Sequence, residues 1–435
     1  MENLDVLNNL KLRLSYGSVG NEAIGPYGSL STASQNDYIF NDQISTGYIP
    51  GNTLPNPNLK WETSTTFNSA IDFGLWNNRV TATFEYYNTR TKDLLVSKTL
   101  NAALGYTSIL SNIGEIENKG IELFLSTKIF DKQFKWKTDV NWSKNESNVL
   151  SLSPGTDRLL LRNWFNVGVF AEVGEPFGNI RGNAQARDPE SGTPLVFPNG
   201  RARWENDQLL GNAQPDWIGS IRNAFSFKGF SLNVLLDVRM GGELFSATMV
   251  KSNNYGVHAE TLTGREDYLF STLVLGENNN ERSGTGLFGN SYGDSQRAKG
   301  RTYEGSAIGV QDDNGNWVAQ RDSEGNIMYS NIWLSPQLYG FDGINDQSRF
   351  VYDASFVKIR EVVFGYTFRG RILQKLKNIK HLKLSIVGRD LWTIFRNTPQ
   401  GLDPEAGTTS GNGQGIEFGS FLPTRTVGVN LNISF

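Results

Sequence analysis

Two acidic stretches that form a near-repeat, Asp-Asp-Asn-Gly-Asn-Trp at residues 312–317 and Asp-Ser-Glu-Gly-Asn-Ile at 322–327, are the first candidates for chemistry. Acids and an asparagine around a glycine are the raw material of a calcium loop. An EF-hand loop, however, needs a spaced series of ligands closed by a glutamate, and neither stretch has it. Two small hairpin turns within one connection account for them better. Gly-Asn-Ala-Gln-Ala-Arg-Asp-Pro-Glu at 182–190 scatters its carboxylates without the defined separation that paired acid–base work demands. The chain has no cysteine, so thiolate nucleophiles, thiolate metal sites and disulfides are all excluded. Its two histidines, His258 and His381, lie far apart, and His381 reads as a turn residue ahead of an alternating segment. There is no phosphate-binding P-loop. The sequence offers no enzymatic constellation and calls for no cofactor.

Binding chemistry is better supplied. Trp164, Trp204, Trp317 and Trp333 lie in long connections, and Trp392 lies where a strand meets one. An aromatic face stacks on the apolar C–H face of a sugar while neighbouring Asp, Asn and Arg side chains bond its hydroxyls. The plainer reading is that these rings pack the connections against one another or against a covering protein. Lys-Trp-Lys-Thr-Asp at 135–139 invites a nucleic-acid reading, but a strand would send its lysines to one face and Trp136 to the other. A net charge of −3 gives no basic field to support that reading.

These residues must be held by strands. Apolar residues alternate with small or polar ones in about ten segments, the signature of sheet with one oily and one wet face. Leu10, Leu12, Leu14 and Tyr16 form one such row, and Phe67, Ile71, Phe73 and Leu75 another. The rows continue through residues 80–86, 121–125, 134–142, 221–227, 230–238, 357–368 and 382–386. Val357 and Ile359 are out of phase with Val362 and Phe364, which predicts a bulge between them. The alternation runs to the last residue through Val427, Val429, Leu431, Ile433 and Phe435, where termini ordinarily fray.

The connections are short (76–79, 130–133, 228–229, 369–380) and long (20–60, 92–115, 146–216, 241–350, 393–424) by turns. In an antiparallel meander this puts only turns at one end and only large loops at the other. That asymmetry predicts an all-β fold, an antiparallel transmembrane β-barrel fragment of about ten strands with short periplasmic turns and long extracellular loops. Phe435 then falls at the periplasmic rim. Trp76, Phe134, Trp136 and Phe227 sit beside the short turns, where an interfacial aromatic girdle belongs. No run approaches the roughly 20 apolar residues of a membrane helix. A soluble β-sandwich or propeller also alternates, but gives no reason for a connection as long as 241–350.

Six stretches resemble, in order, the SusC/RagA-type TonB-dependent outer-membrane transporters. They are residues 9–21, 59–68, 115–123, 349–368, the Gly-Arg-Asp-Leu-Trp-Thr-Ile and Gly-Leu-Asp-Pro-Glu pair at 388–394 and 401–405, and the terminal strand. The resemblance implies a plugged barrel of about 22 strands in the cell outer membrane, with nutrient uptake powered by the TonB complex. It also implies a SusD-like surface lipoprotein over the mouth and an oligosaccharide or peptide substrate. The chain then corresponds to the C-terminal barrel portion over residues 1–435, with the plug domain and N-terminal strands absent. No signal peptide is expected, since the start lacks a basic and then apolar region. Two open sheet edges would leave backbone groups in hydrocarbon at several kcal/mol each, so either the ten strands close into a smaller barrel or, as we expect, further strands complete a larger one. By the same resemblance the terminal strand with Phe435 is the signal read by the barrel-assembly machinery. Around Arg389, Asp390, Asp403 and Glu405 we expect structural pinning of the last large loop rather than catalysis. The competing reading is a soluble or surface carbohydrate-binding β protein without transport.

Overall fold

The computed structural model describes residues 6–21, 24, 29–30, 32–112, 114–153, 155–262, 303, 305–330, 345–369, 379–407 and 411–435. Ten strands form one sheet: β1 (Leu7–Asn21), β2 (Glu62–Leu75), β3 (Val80–Lys92), β4 (Glu115–Asp131), β5 (Phe134–Ser151), β6 (Trp217–Phe227), β7 (Phe230–Met240), β8 (Phe356–Thr367), β9 (His381–Arg396) and β10 (Thr426–Ser434). Each pairs antiparallel with the next in sequence, so the sheet is an uninterrupted meander. β1 and β10 are its two edges, and they do not pair with each other. Among the described residues the sheet is therefore not closed into a barrel.

Register converts the alternation of each strand into continuous rows. Leu12 lies opposite Ile71, Ile71 opposite Phe84, Phe84 opposite Leu123 and Leu123 opposite Trp142. Nearer the short turns, Trp136, Phe225, Leu232, Phe364, Ile386 and Val429 form a second apolar row. A one-residue slip anywhere would move a whole strand's apolar set to the other face. The opposite face is polar: Arg13 donates to both carboxylate oxygens of Asp72 at 2.8 and 3.1 Å, and Thr83 donates to Asp72 at 2.8 Å. The apolar face is bare. Leu12 is 62% exposed, Leu14 64% and Val429 73%. A sheet that folds in water covers such a face, so the bareness separates a lipid-facing wall from a soluble sandwich.

The two ends differ as the connection lengths predict. β6 and β7 are joined by Lys228 and Gly229, both at positive φ (46° and 97°), the two-residue turn whose twist matches the strands. Trp76, Asn77 and Asn78 likewise turn through positive φ. The turn between β4 and β5 is tighter than expected, because Phe130 still pairs with Trp136 and leaves only residues 132–133 outside the strands. Rings gather here: Trp136 lies 5.5 Å from Phe225, Phe130 6.0 Å from Phe134, and Phe230 4.7 Å from Tyr366. Trp136 also donates its indole N–H to Asn223 at 3.0 Å, satisfying a polar group on the apolar face.

At the other end the long connections fold into a body of their own. The first contains an exposed two-stranded hairpin (Ala33–Phe40 with Gln43–Pro50). Residues 152–216 contain a four-stranded sheet (Arg158–Trp164, Val167–Glu172, Asn179–Gln185, Trp204–Asn212). The strand Glu243–Ser246 pairs antiparallel with Val351–Asp353 and parallel with Ile416–Glu417. It leads into helix α1 (Ala247–Asn254), whose N-cap Ser246 accepts from the Met249 N–H at 3.1 Å. The buried carboxylate of Glu417 takes hydrogen bonds from Ser246 and Thr248 at 2.6 and 2.7 Å, tying the last long connection to the start of this helix. Val167, Ile180, Phe245, Val250, Phe350 and Ile416, drawn from three connections, are all at most 2% exposed and pack in one cluster. The molecule's dry core is in its loops rather than in its large sheet. Burial on that scale is worth about 1.5–3 kcal/mol per large side chain.

Candidate functional site

Where the sheet meets the loop body, β8 is bulged at Arg360. Its neighbours keep register around it, Ile359 facing Leu236 and Trp392 while Glu361 faces Leu235 and Arg389. The extra residue is what brings Val362 and Phe364 back to the apolar face after the phase change read in the sequence. On β9, Asp390 is held at φ 49°, a conformation that Asp and Asn tolerate better than other side chains.

This double irregularity assembles a charge cluster. The Lys358 ammonium, 4% exposed, donates to both oxygens of Asp403 at 2.9 Å and to Glu405 at 2.6 Å. The Arg360 guanidinium bonds Glu405 through two nitrogens at 3.0 and 2.6 Å, Asp390 at 3.0 Å and Asp237 at 3.0 Å. Burial pushes the Glu405 carboxyl up, but hydrogen bonds from Arg360 and Lys358 outweigh it and hold the group below its ordinary range. Every carboxylate in the cluster is engaged by a cation, which leaves none poised as a general acid or base. Asp403 and Glu405 fasten the last long connection to strand β8, and Arg360 links β8 on to Asp390 of β9. Arg389, named with them from the sequence, instead donates to Glu361 at 2.9 Å. Lys358, Arg360 and Asp237 are the partners that sequence reasoning missed; for Lys358 and Arg360 the phase break around them was the available signal.

Of the candidate ligand-binding tryptophans only Trp204 and Trp317, among the described residues, share a cluster. Trp164 packs on Phe165, Phe245 and Phe418 at 4.6, 5.7 and 5.7 Å, against the loop core. Trp204 and Trp317 both lie edge-on to Phe197, at 5.7 and 6.2 Å, and the Arg203 guanidinium sits 3.5 Å from the Trp317 ring centre. Trp392, 64% exposed, faces Ile359 on the apolar side of the sheet, at the loop end of the strands. Trp333 lies outside the described residues.

Between the sheet and the loop body is a recess of about 810 Å³ lined largely by amides and carboxylates, among them Asn145, Glu146, Asn179, Asn212, Glu243 and Asp353. None of the described candidate tryptophans lines it. The twin acidic stretches are hairpin turns: Asp312 caps the N–H groups of Asn314 and Asn316, and Asp322 those of Glu324 and Asn326, at 2.7–2.9 Å. Among the described residues no group of three or more His, Cys, Asp or Glu side chains is placed to hold a metal ion.

Comparison with known proteins agrees with this architecture. The family profile described as "TonB dependent receptor-like, beta-barrel" matches residues 3–160. The TonB-dependent receptor P3 of Formosa agariphila is 27% identical over all of this chain and 40% of its own length. The TonB-dependent receptor SusC of Bacteroides thetaiotaomicron is 34% identical over 36% of this chain and 16% of its own length. The solved RagAB peptide transporter superposes on the whole chain with a TM-score of 0.66 at 19% identity, over 42% of its own chain, a likeness of fold. The chain spans about 40% of the length of the curated relatives that match all of it. Profile and relatives agree that the chain is similar to TonB-dependent receptors, SusC among them, and the RagAB likeness agrees with them in fold.

Proposed function

We propose that the chain is the C-terminal barrel portion of an active nutrient importer, supplying lumen wall and extracellular loops. Further strands of a longer polypeptide would complete the barrel, and an upstream plug would carry gating and contact with the TonB complex. The observation that carries this reading is the ten-stranded sheet with a bare apolar face on one side and a charged, hydrogen-bonded face on the other. The amide- and carboxylate-rich recess suits a substrate rich in hydroxyls or peptide N–H groups, an oligosaccharide or a peptide. A SusD-like surface lipoprotein would cover the loop body. No enzymatic step is assigned. A soluble or surface carbohydrate-binding protein is disfavoured by the exposure of Leu12, Leu14 and Val429.

The test is to fractionate cells carrying the native full-length protein and to read gel mobility with and without heating. Recovery in the outer membrane with a heat-dependent band shift is expected; a soluble, heat-insensitive product overturns the reading. In the same protein, the alternating strand that ends in Phe435 would serve as the barrel-assembly signal. Deleting Phe435 is then expected to lower surface levels, and normal levels would sink that role.

A further inference from the structure

At the turn end of the sheet a recess of about 580 Å³ is walled by Trp76, Phe130, Phe134 and Phe227 and carries three cations, Arg79, Lys128 and Lys132, and one acid, Asp131. We propose that it is a binding site for the phosphate headgroup of an anionic phospholipid in the periplasmic leaflet, an assignment that rests on reading this end as periplasmic. The rings are 42–53% exposed, at the level where an interfacial girdle meets headgroups. The Arg79 guanidinium donates to the carbonyls of Lys128 (2.8 Å) and Ile129, which fixes it at the bulge between β4 and β5. Among the described residues Arg79, Lys128 and Lys132 ion-pair with no carboxylate, since the nearby Asp131 engages Lys135 at 3.3 Å.

Charge segregation points the same way. The other described turn residues add Lys228, Arg369 and Lys380, and Asp131 is the one acid in these described turns, although the chain as a whole carries −3. A free anion or an acidic peptide would be matched by the cations alone. The apolar wall adjoining them favours a phosphate that carries acyl chains, with charge-assisted bonds to the head and ring contact below it.

The test uses the native full-length protein in nanodiscs containing phosphatidylglycerol, with retained lipid counted by native mass spectrometry. Lys128→Gln combined with Lys132→Gln changes exposed side chains only; Lys119→Gln, at the far end of β4, is the control. Retention of phosphatidylglycerol is expected to fall about tenfold in the double variant and to be unchanged in the control. Equal retention by all three proteins, or equal retention of phosphate-free diacylglycerol, overturns the site. Displacement of the lipid by excess inorganic phosphate or by an acidic peptide also overturns it, in favour of a free-anion or peptide surface. Heat-dependent mobility is read on each sample. A band shift in the wild type without lipid selectivity removes the site alone, whereas no band shift removes the membrane reading as well.

Discussion

Lys358 is a buried cation, 4% exposed, and its charge is tolerable because Asp403 and Glu405 meet it. Removing it leaves Asp403 buried and unpaired, the costly way to break such a contact. Lys358→Met is therefore expected to cost about 3 kcal/mol, seen as a lower temperature for loss of the folded gel band in the native protein; an unmoved transition would show that the cluster closes nothing. Glu405 adds a pH dependence. Its folded pKa lies below the ordinary value of 4.5, so its stabilisation is complete above that value and is lost as the pH falls through the folded one. The stability gap between wild type and Glu405→Gln should hold constant near neutrality and close in acid. The sequence revealed half of this cluster, because Asp390, Asp403 and Glu405 stand in a recognisable motif. Which cations they meet depends on how the last long connection folds back on β8, which no local spacing encodes.

Among the elements, all ten strands of the sheet were legible, because a two-residue period writes each one into its own stretch of chain. The bulge was legible for the same reason, as a phase error between Ile359 and Val362. The loop body was not. Val167, Phe245, Phe350 and Ile416 meet in one core from three separate connections, and helix α1 is only two turns long, too short for its periodicity to stand out. The bulge makes a sharp demand of β9, where Asp390 sits at φ 49°. A β-branched residue there meets its own backbone, at a cost of roughly 1–2 kcal/mol. Asp390→Asn keeps the backbone tolerance and loses only the charge of the contact with Arg360. Asp390→Val should therefore unfold at lower urea than Asp390→Asn when the native protein is titrated in micelles with tryptophan fluorescence as the readout. Equal midpoints would mean that the strand escapes the positive φ by moving the bulge.

For the molecule as a whole, an unusual feature is that its largest sheet has little dry side. β1 shows this most clearly, since Leu12 on one face and Ser15 on the other are both exposed. In water, arginine at either position would be nearly indifferent, because neither side chain packs against anything that it would lose. A lipid layer breaks that equivalence. Leu12 heads the row running through Ile71, Phe84 and Leu123, well inside the apolar band, whereas Ser15 lies on the face that carries Arg13 and Asp72. Leu12→Arg is thus expected to cost about 2–4 kcal/mol near mid-membrane, and Ser15→Arg less than about 1 kcal/mol, since the lumen is wet. The measurement is the heat-shifted fraction of each full-length variant recovered from the outer membrane. A loss confined to Leu12→Arg assigns the bare face to lipid. Equal yields would mean that the apolar rows are covered by protein instead, and that the two faces differ in composition without differing in solvent.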